Sequence, residues 1–294
     1  AHLHLVMNTL QLIIWFVISN QFHILPHQAH SLSIMDQEPQ EKKQKVEADE
    51  NSKHLAPWAE RWKNNRTAFH LSDVNRILKD HVDKLLPMEN ANNDDEDNDN
   101  PTCSNRRVFV PLCGKTLDMT FLTKLADEVV GVEGIRMALE QFSEENPDLN
   151  VKFEGTVNGF DRFVGDKITL LQGNFFDLDD TKGGGKFGAI YDRGSMVAID
   201  PDLRADYVDT LGKLIAPGGK ILLVALERVG EEEAVKMGPP FTLPDSTIRG
   251  LFESKEWFAS MSVLEESNQL EQEDRNRYEG LEILWERVYL IQAK

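Results

Sequence analysis

From Arg107 onward the chain alternates short, unbroken apolar runs with segments of helical periodicity, and few folds accommodate that alternation. RVFV (107–110), EVVGVE (128–133), ITLLQG (168–173), FGAIYD (187–192) and KILLVAL (220–226) read as strands that are apolar on both faces. Between them, Thr116–Leu125 reads as a helix with Leu117, Phe121, Leu122 and Leu125 inward, and Met137–Phe142 and Leu203–Leu214 as two more. Strands buried on both faces and joined by helices make a parallel sheet covered above and below. The final run, ILWERVYLI (283–291), reads as a strand with no crossover helix before it. Two stretches, 150–166 and 228–248, interrupt the alternation and read as insertions covering a site. No internal repeat is present.

In an open sheet of this kind ligands lie beyond the carboxyl ends of the strands. The first such end is VFVPLCGKTLDM (108–119), whose GKT suggests a phosphate loop. Counting argues against one. The pattern GxxxxGK[ST] needs a glycine where Phe109 stands, and Pro111 has no amide hydrogen to offer a phosphate. Lys115 then reads as a solvent-facing residue in the first turn of the helix. A G-x-G-x-x-G fingerprint is absent as well. The second strand ends in Glu133, 19 residues after Gly114, where a carboxylate can accept two hydrogen bonds from a ribose diol. The plain alternative is a surface acid at a strand end. A loop that holds adenosine without wrapping phosphates points to S-adenosylmethionine, which carries a ribose, a carboxylate, an ammonium and a sulfonium. Strand three leads into NFFD (174–177), on the adenine side, and LIAPGGK (214–220) is a turn common before the fifth strand of methyltransferases.

Charge narrows the partners. Lys and Arg total 32 against 50 Asp and Glu, a formal charge of −18, and such a surface repels nucleic-acid backbones. The two cysteines, Cys103 and Cys113, make neither a disulfide framework nor a metal cluster and suit a reducing, cytoplasmic setting. The first 35 residues hold no Lys or Arg and five of the eight histidines. Their apolar run LQLIIWFVI (10–18) lacks the basic flank of a signal peptide and is too short to span a membrane. Residues 1–34 therefore read as upstream translation or an unusual leader, with Met35 as the native start and a cleaved signal as the alternative. Residues 36–54 are charged and without periodicity, so residues 1–54 are expected to be leader or disorder. Order is expected from near Pro57, with Ser72 capping a helix that carries Val74, Ile77, Leu78, Val82 and Leu85. ENANNDDEDNDN (89–100) reads as a solvated loop, since it lacks the ligand alternation and closing Glu of a calcium loop.

Several stretches together resemble one family: WAERWKNNRTAFH (58–70), VFVPLCGKTLDM (108–119), VVGVE (129–133), YDRGSMVAIDPDLRADYV (191–208), GPPFTLP (238–244) and LEILWERVYLI (281–291). They resemble the thiopurine S-methyltransferases over roughly residues 55–294. The resemblance implies a single Rossmann-like α/β domain. Its sheet has seven mostly parallel strands and an antiparallel last strand, with helices on both faces and residues 55–88 covering the cofactor. It implies S-adenosylmethionine as methyl donor, a small aromatic or heterocyclic thiol as acceptor, and a cytoplasmic, monomeric enzyme. Halide, sulfide or selenium nucleophiles are the alternative acceptors, and a cofactor-binding protein without turnover is the alternative of another class. Carried over residue by residue, Trp58, Trp62 and Phe69 would close over the cofactor, and Leu112, Gly114 and Glu133 would hold it. Asn174 and Phe175 would flank the adenine, continued by Phe176 and Asp177. Arg193 would touch both cofactor and acceptor, with Phe69 and Arg275 also on the acceptor side, and Arg193 and Arg275 would serve catalysis. The 89–100 loop, the glycines at 183–185 and EEEAVKM (231–237) depart from the vertebrate members and bear on the acceptor's identity.

Each of these residues also has a plainer reading. The tryptophans at i and i+4 suit helix packing as well as a sulfonium. Arg193 can favour a thiolate, or it can pair with Asp192 or Asp200. Arg275 lies in a charged run, QEDRNR, whose default is a solvated face. Cys113 reads as a small packed residue, since methyl transfer needs no enzyme nucleophile. His70 and His81 are bases only in the loosest sense, and His81 falls at an inward helical position.

Overall fold

The five internal apolar runs pair as the centre of one sheet. The computed structural model describes residues 55–67, 70–86, 105–271 and 279–294. Its strands are β1 (Arg107–Val110), β2 (Glu128–Glu133), β3 (Lys152–Val157), β4 (Phe160–Gly165), β5 (Ile168–Gln172), β6 (Phe187–Arg193), β7 (Ile215–Gly230), β8 (Phe258–Asn268) and β9 (Leu281–Ala293). They lie in the order β3-β4-β5-β2-β1-β6-β7-β9-β8. Strands β5, β2, β1, β6 and β7 are parallel, and β9 runs antiparallel to both β7 and β8.

The expected seven strands are therefore present, with the last one antiparallel, but the sheet has nine. The 150–166 insertion is not a cover over the strand ends. It is a hairpin, β3–β4, added in antiparallel fashion to the edge at β5. The fifth strand also starts earlier than expected, at Ile215, so most of the LIAPGGK turn belongs to it.

Helical residues 55–63 (α1) precede α2 (Arg76–Leu85), α3 (Leu117–Leu122), α4 (Arg136–Glu145), α5 (Arg204–Leu214), α6 (Glu232–Lys236) and α7 (Asp245–Phe252). Asn75, not Ser72, caps α2, its Oδ1 accepting the Ile77 N–H at 2.8 Å. The side chain nearest the first free amides takes the cap. Helix α3 stops at Leu122, three residues short of the expected end.

Alternate residues of β1 serve two cores. Val108 and Val110 pack with Ile77, Leu78, Met119 and Phe142 of α2, α3 and α4. Phe109 faces the other side, with Tyr207, Leu211 and Phe252 of α5 and α7. His81 is buried on α2, as its spacing implies, and its Nε2 lies 3.2 Å from Glu265 Oε2 on β8. Residues 1–54, the 89–100 loop, Phe69 and Arg275 lie outside the described residues.

Candidate cofactor and acceptor cleft

The turn after β1 is shaped by its neighbour strand. Cys113 donates its N–H to Val132 O at 2.9 Å, which fastens the loop to β2. Within that turn Leu112 (φ +42°) and Gly114 (φ +52°) are left-handed. For Gly114 this conformation is unstrained. For Leu112 it costs about 1–3 kcal/mol, of the kind stored at ligand-binding turns. Gly114 then donates its N–H to Glu133 Oε2 at 3.0 Å, and Ile135 donates to Glu133 Oε1 at 2.8 Å. One amide per carboxylate oxygen leaves each with a second acceptor direction. Burial pushes the Glu133 pKa up, and the amides of Ile135, Gly114 and Gly134 oppose the rise. Glu133 is thus both a latch for the turn and an acceptor at the edge of the cleft.

Helix α1 lies across this latch. Trp62 is buried with Ile135 and Ala138, flanked by Leu55 and Trp58. A Cβ on Gly134 would lie 2.6 Å from Leu55 Cδ2, so any larger residue there would make the Leu55 side chain shift. A Cβ on Gly114 would reach the Trp62 ring at ordinary contact distance. Packing, the plainer reading of the tryptophans, is therefore real. It coexists with a place on the cleft wall, where both rings stand.

Beyond β5, Asn174 caps a short 3-10 turn, its side chain accepting the Phe176 N–H at 3.2 Å. Phe175 is buried and stacks on Tyr207, ring centroids 4.6 Å apart. Phe176 is the half-buried ring of the pair at the cleft. At the end of β6, Asp192 accepts the Tyr207 hydroxyl at 2.7 Å and the Met196 N–H at 3.1 Å. Asp200 accepts the Asp202 N–H at 3.0 Å. Both acids named as ion-pair partners for Arg193 accept nearby donors. The Arg193 charge acts on Glu286 of β9, whose pKa burial raises and Arg193 opposes, and on His70, lowered first by burial and then by Lys115.

Leu112, Gly114, Glu133, Trp58, Trp62, Asn174, Phe175 and Arg193 all line one cleft of about 1170 Å³. Single-ligand pockets hold roughly 300–1,000 Å³, so two small molecules fit side by side. Cys113 is buried, and burial pushes its thiol well up, which leaves it inert. Lys115 corrects the expectation of a solvent-facing residue. It precedes the Thr116 cap, its side chain is only 13% exposed, and it pairs with Glu145 of α4. Asp118 and Tyr191 also line the cleft, and sequence reasoning missed both. For Asp118 the available signal was an acid beside a ligand-facing turn, which a helix's first turn favours in any case.

The family model for thiopurine S-methyltransferase matches residues 53–294. A thiopurine S-methyltransferase of Methylococcus capsulatus is 34% identical over 237 residues, covering 81% of this chain and 96% of its own. The probable thiopurine S-methyltransferase of Danio rerio is 33% identical over 245 residues, covering 82% and 95%. The Rattus norvegicus thiopurine S-methyltransferase is 32% identical over 246 residues, covering 82% and 92%.

Proposed function

The chain belongs to the thiopurine S-methyltransferase family, and on that premise we propose that it methylates the sulfur of small aromatic or heterocyclic thiols. Its methyl donor is S-adenosylmethionine. The observation that carries the donor's fit is the Gly114–Glu133 latch, bonded at 3.0 Å at the cleft edge. It offers acceptor directions to a ribose, while Pro111 and the glycine-poor turn offer no amide nest to a phosphate. Leu112, Gly114 and Glu133 hold the adenosyl part, with Asn174 and Phe176 at the adenine end. The donor supplies an electrophilic methyl on a sulfonium.

The chain's own task is then positioning. Arg193 favours the anionic form of an acceptor sulfur and offers a planar fork to a heterocycle. Helix α1, with Trp58 and Trp62, excludes water and narrows the approach. Burial, then Lys115, lower the His70 pKa against an opposing Glu145 charge, which disfavours a second cation beside the thiolate. Phe69 and Arg275 complete the acceptor side in this reading. Among the described residues no helix is long and apolar enough to cross a membrane.

The deciding experiment is a methylation assay with S-adenosylmethionine over a thiopurine, thiophenol, sulfide and iodide. Turnover of the two aromatic thiols well above that of sulfide and iodide is the expected result. Turnover of iodide or sulfide alone would move the acceptor class, and donor binding with no turnover would make the protein a cofactor-binding module.

A further inference from the structure

Two polar groups in the cleft floor have no part in the reading above. Asp118, in the first turn of α3, and Tyr191, on β6, are each 1% exposed, and both line the cleft. Asp118 Oδ1 accepts the Asn75 N–H at 2.7 Å. Its Oδ2 and the Tyr191 hydroxyl oxygen have no partner at full bonding geometry, but they lie close enough to interact with each other, and the Arg193 charge also reaches the phenol. Burial first, and Asp118 second, push the Tyr191 phenol well up, so it stays neutral. Lys115, three positions before Asp118, is paired with Glu145. A buried carboxylate whose second oxygen has only a poorly aligned phenol beside it is costly unless a cation completes it.

The strand order decides which cation. Reading β2-β1-β6, Glu133 marks the β2 end, and Asp118 with Tyr191 marks the β1–β6 junction. The direction of strand order reverses at that junction, where ligands of such sheets extend. A donor whose ribose sits at Glu133 therefore carries its amino-acid tail toward Asp118. Of its polar groups, the sulfonium has no hydrogen to donate and the carboxylate is repelled by Asp118. The ammonium alone fits. Resting on the function proposed above, we propose that Asp118 Oδ2 and the Tyr191 oxygen bind the ammonium group of the donor's amino-acid tail.

The test compares wild type with Asp118→Asn and Tyr191→Phe by calorimetric titration with three ligands. S-adenosylhomocysteine carries the ammonium, S-(3-carboxypropyl)-5′-thioadenosine lacks only that group, and methylthioadenosine lacks the whole tail. Asp118→Asn is expected to weaken S-adenosylhomocysteine about tenfold and Tyr191→Phe about threefold, as for one charge-assisted and one neutral hydrogen bond. Neither should weaken the two other ligands by more than about twofold. Equal losses for all three ligands would make the pair structural. No loss in either variant would make it a water site. Both results overturn the proposal. Tyr191→Phe keeps the ring and answers even if Asp118→Asn unfolds through Asn75. If wild type bound none of the three, the donor assignment itself would fall first.

Discussion

Two strand ends meet at the cleft, and each carries a buried acid: Glu133 closes β2, and Asp192 stands one residue from the end of β6. Burial raises the pKa of both, that of Asp192 to about 6. Burial and the direction of the shift are common to both, yet their partners differ. Glu133 accepts two backbone amides of the loops around it and borders the cleft. Asp192 accepts the Tyr207 hydroxyl and an amide of its own turn, tying β6 to α5 away from the cleft lining. What marks a ligand-binding acid is where its unused acceptor directions point, because a pKa raised by burial serves framework and ligand equally.

The sharpest way to break that comparison is pH. The folded Asp192 binds a proton more tightly than the unfolded chain, with a pKa of about 6 against 3.8. Its contribution to stability is therefore complete below about pH 4 and is lost as pH rises through about 6, a loss of about 3 kcal/mol. Asp192→Asn removes this dependence. Urea unfolding of variant and wild type should show their difference moving in the variant's favour by up to about 3 kcal/mol from about pH 4 to 7, with S-adenosylhomocysteine affinity within about twofold. A difference that stays flat with pH would remove Asp192 from the framework role assigned to it.

Glu133→Ala should do the reverse. It takes away the ribose acceptors and strands the Gly114 and Ile135 amides. S-adenosylhomocysteine affinity should fall about 100-fold, close to 2.7 kcal/mol, in calorimetric titration. Glu133 is itself raised by burial, so the variant loses that acid's share of the pH dependence of unfolding and keeps the share of Asp192. Unchanged affinity would end the ribose assignment.

The same contrast explains what was legible in the sequence. Strands β1, β2, β5, β6 and β7 are buried on both faces, so continuous apolar runs announce them. Strand β3 is almost wholly exposed and β8 is only partly buried. As edge strands they leave little apolar imprint on KFEGTV or FASMSVLEESN. At the site, Gly114 and Glu133 were found by counting, because the loop and strand that bring them together are short. Asp118 was not, since the amide it accepts belongs to Asn75, 43 residues away. Lys115 was misread for a like reason, its partner Glu145 being 30 residues on. Local spacing records what one strand–helix unit builds; pairings between distant units leave no local trace.

The smallest effect concerns Arg193, which follows Asp192 and so projects to the opposite face of the sheet. If Asp192 belongs to the framework and Arg193 to the acceptor, neighbours in sequence should separate completely in function. Arg193→Ala should lower kcat for an aromatic thiol about tenfold, or 1.4 kcal/mol of lost stabilisation of the anionic sulfur. The melting temperature should move by less than that energy would imply for a core residue. The pH–rate profile gives the more specific readout. Without the guanidinium the acceptor ionises less readily, so the rising limb should shift to higher pH, and more so for a less acidic thiol. A uniform fall in rate at every pH, equal for acidic and weakly acidic thiols, would assign Arg193 to holding the fold or the donor. Asp192→Asn, measured beside it, should leave that limb where it is.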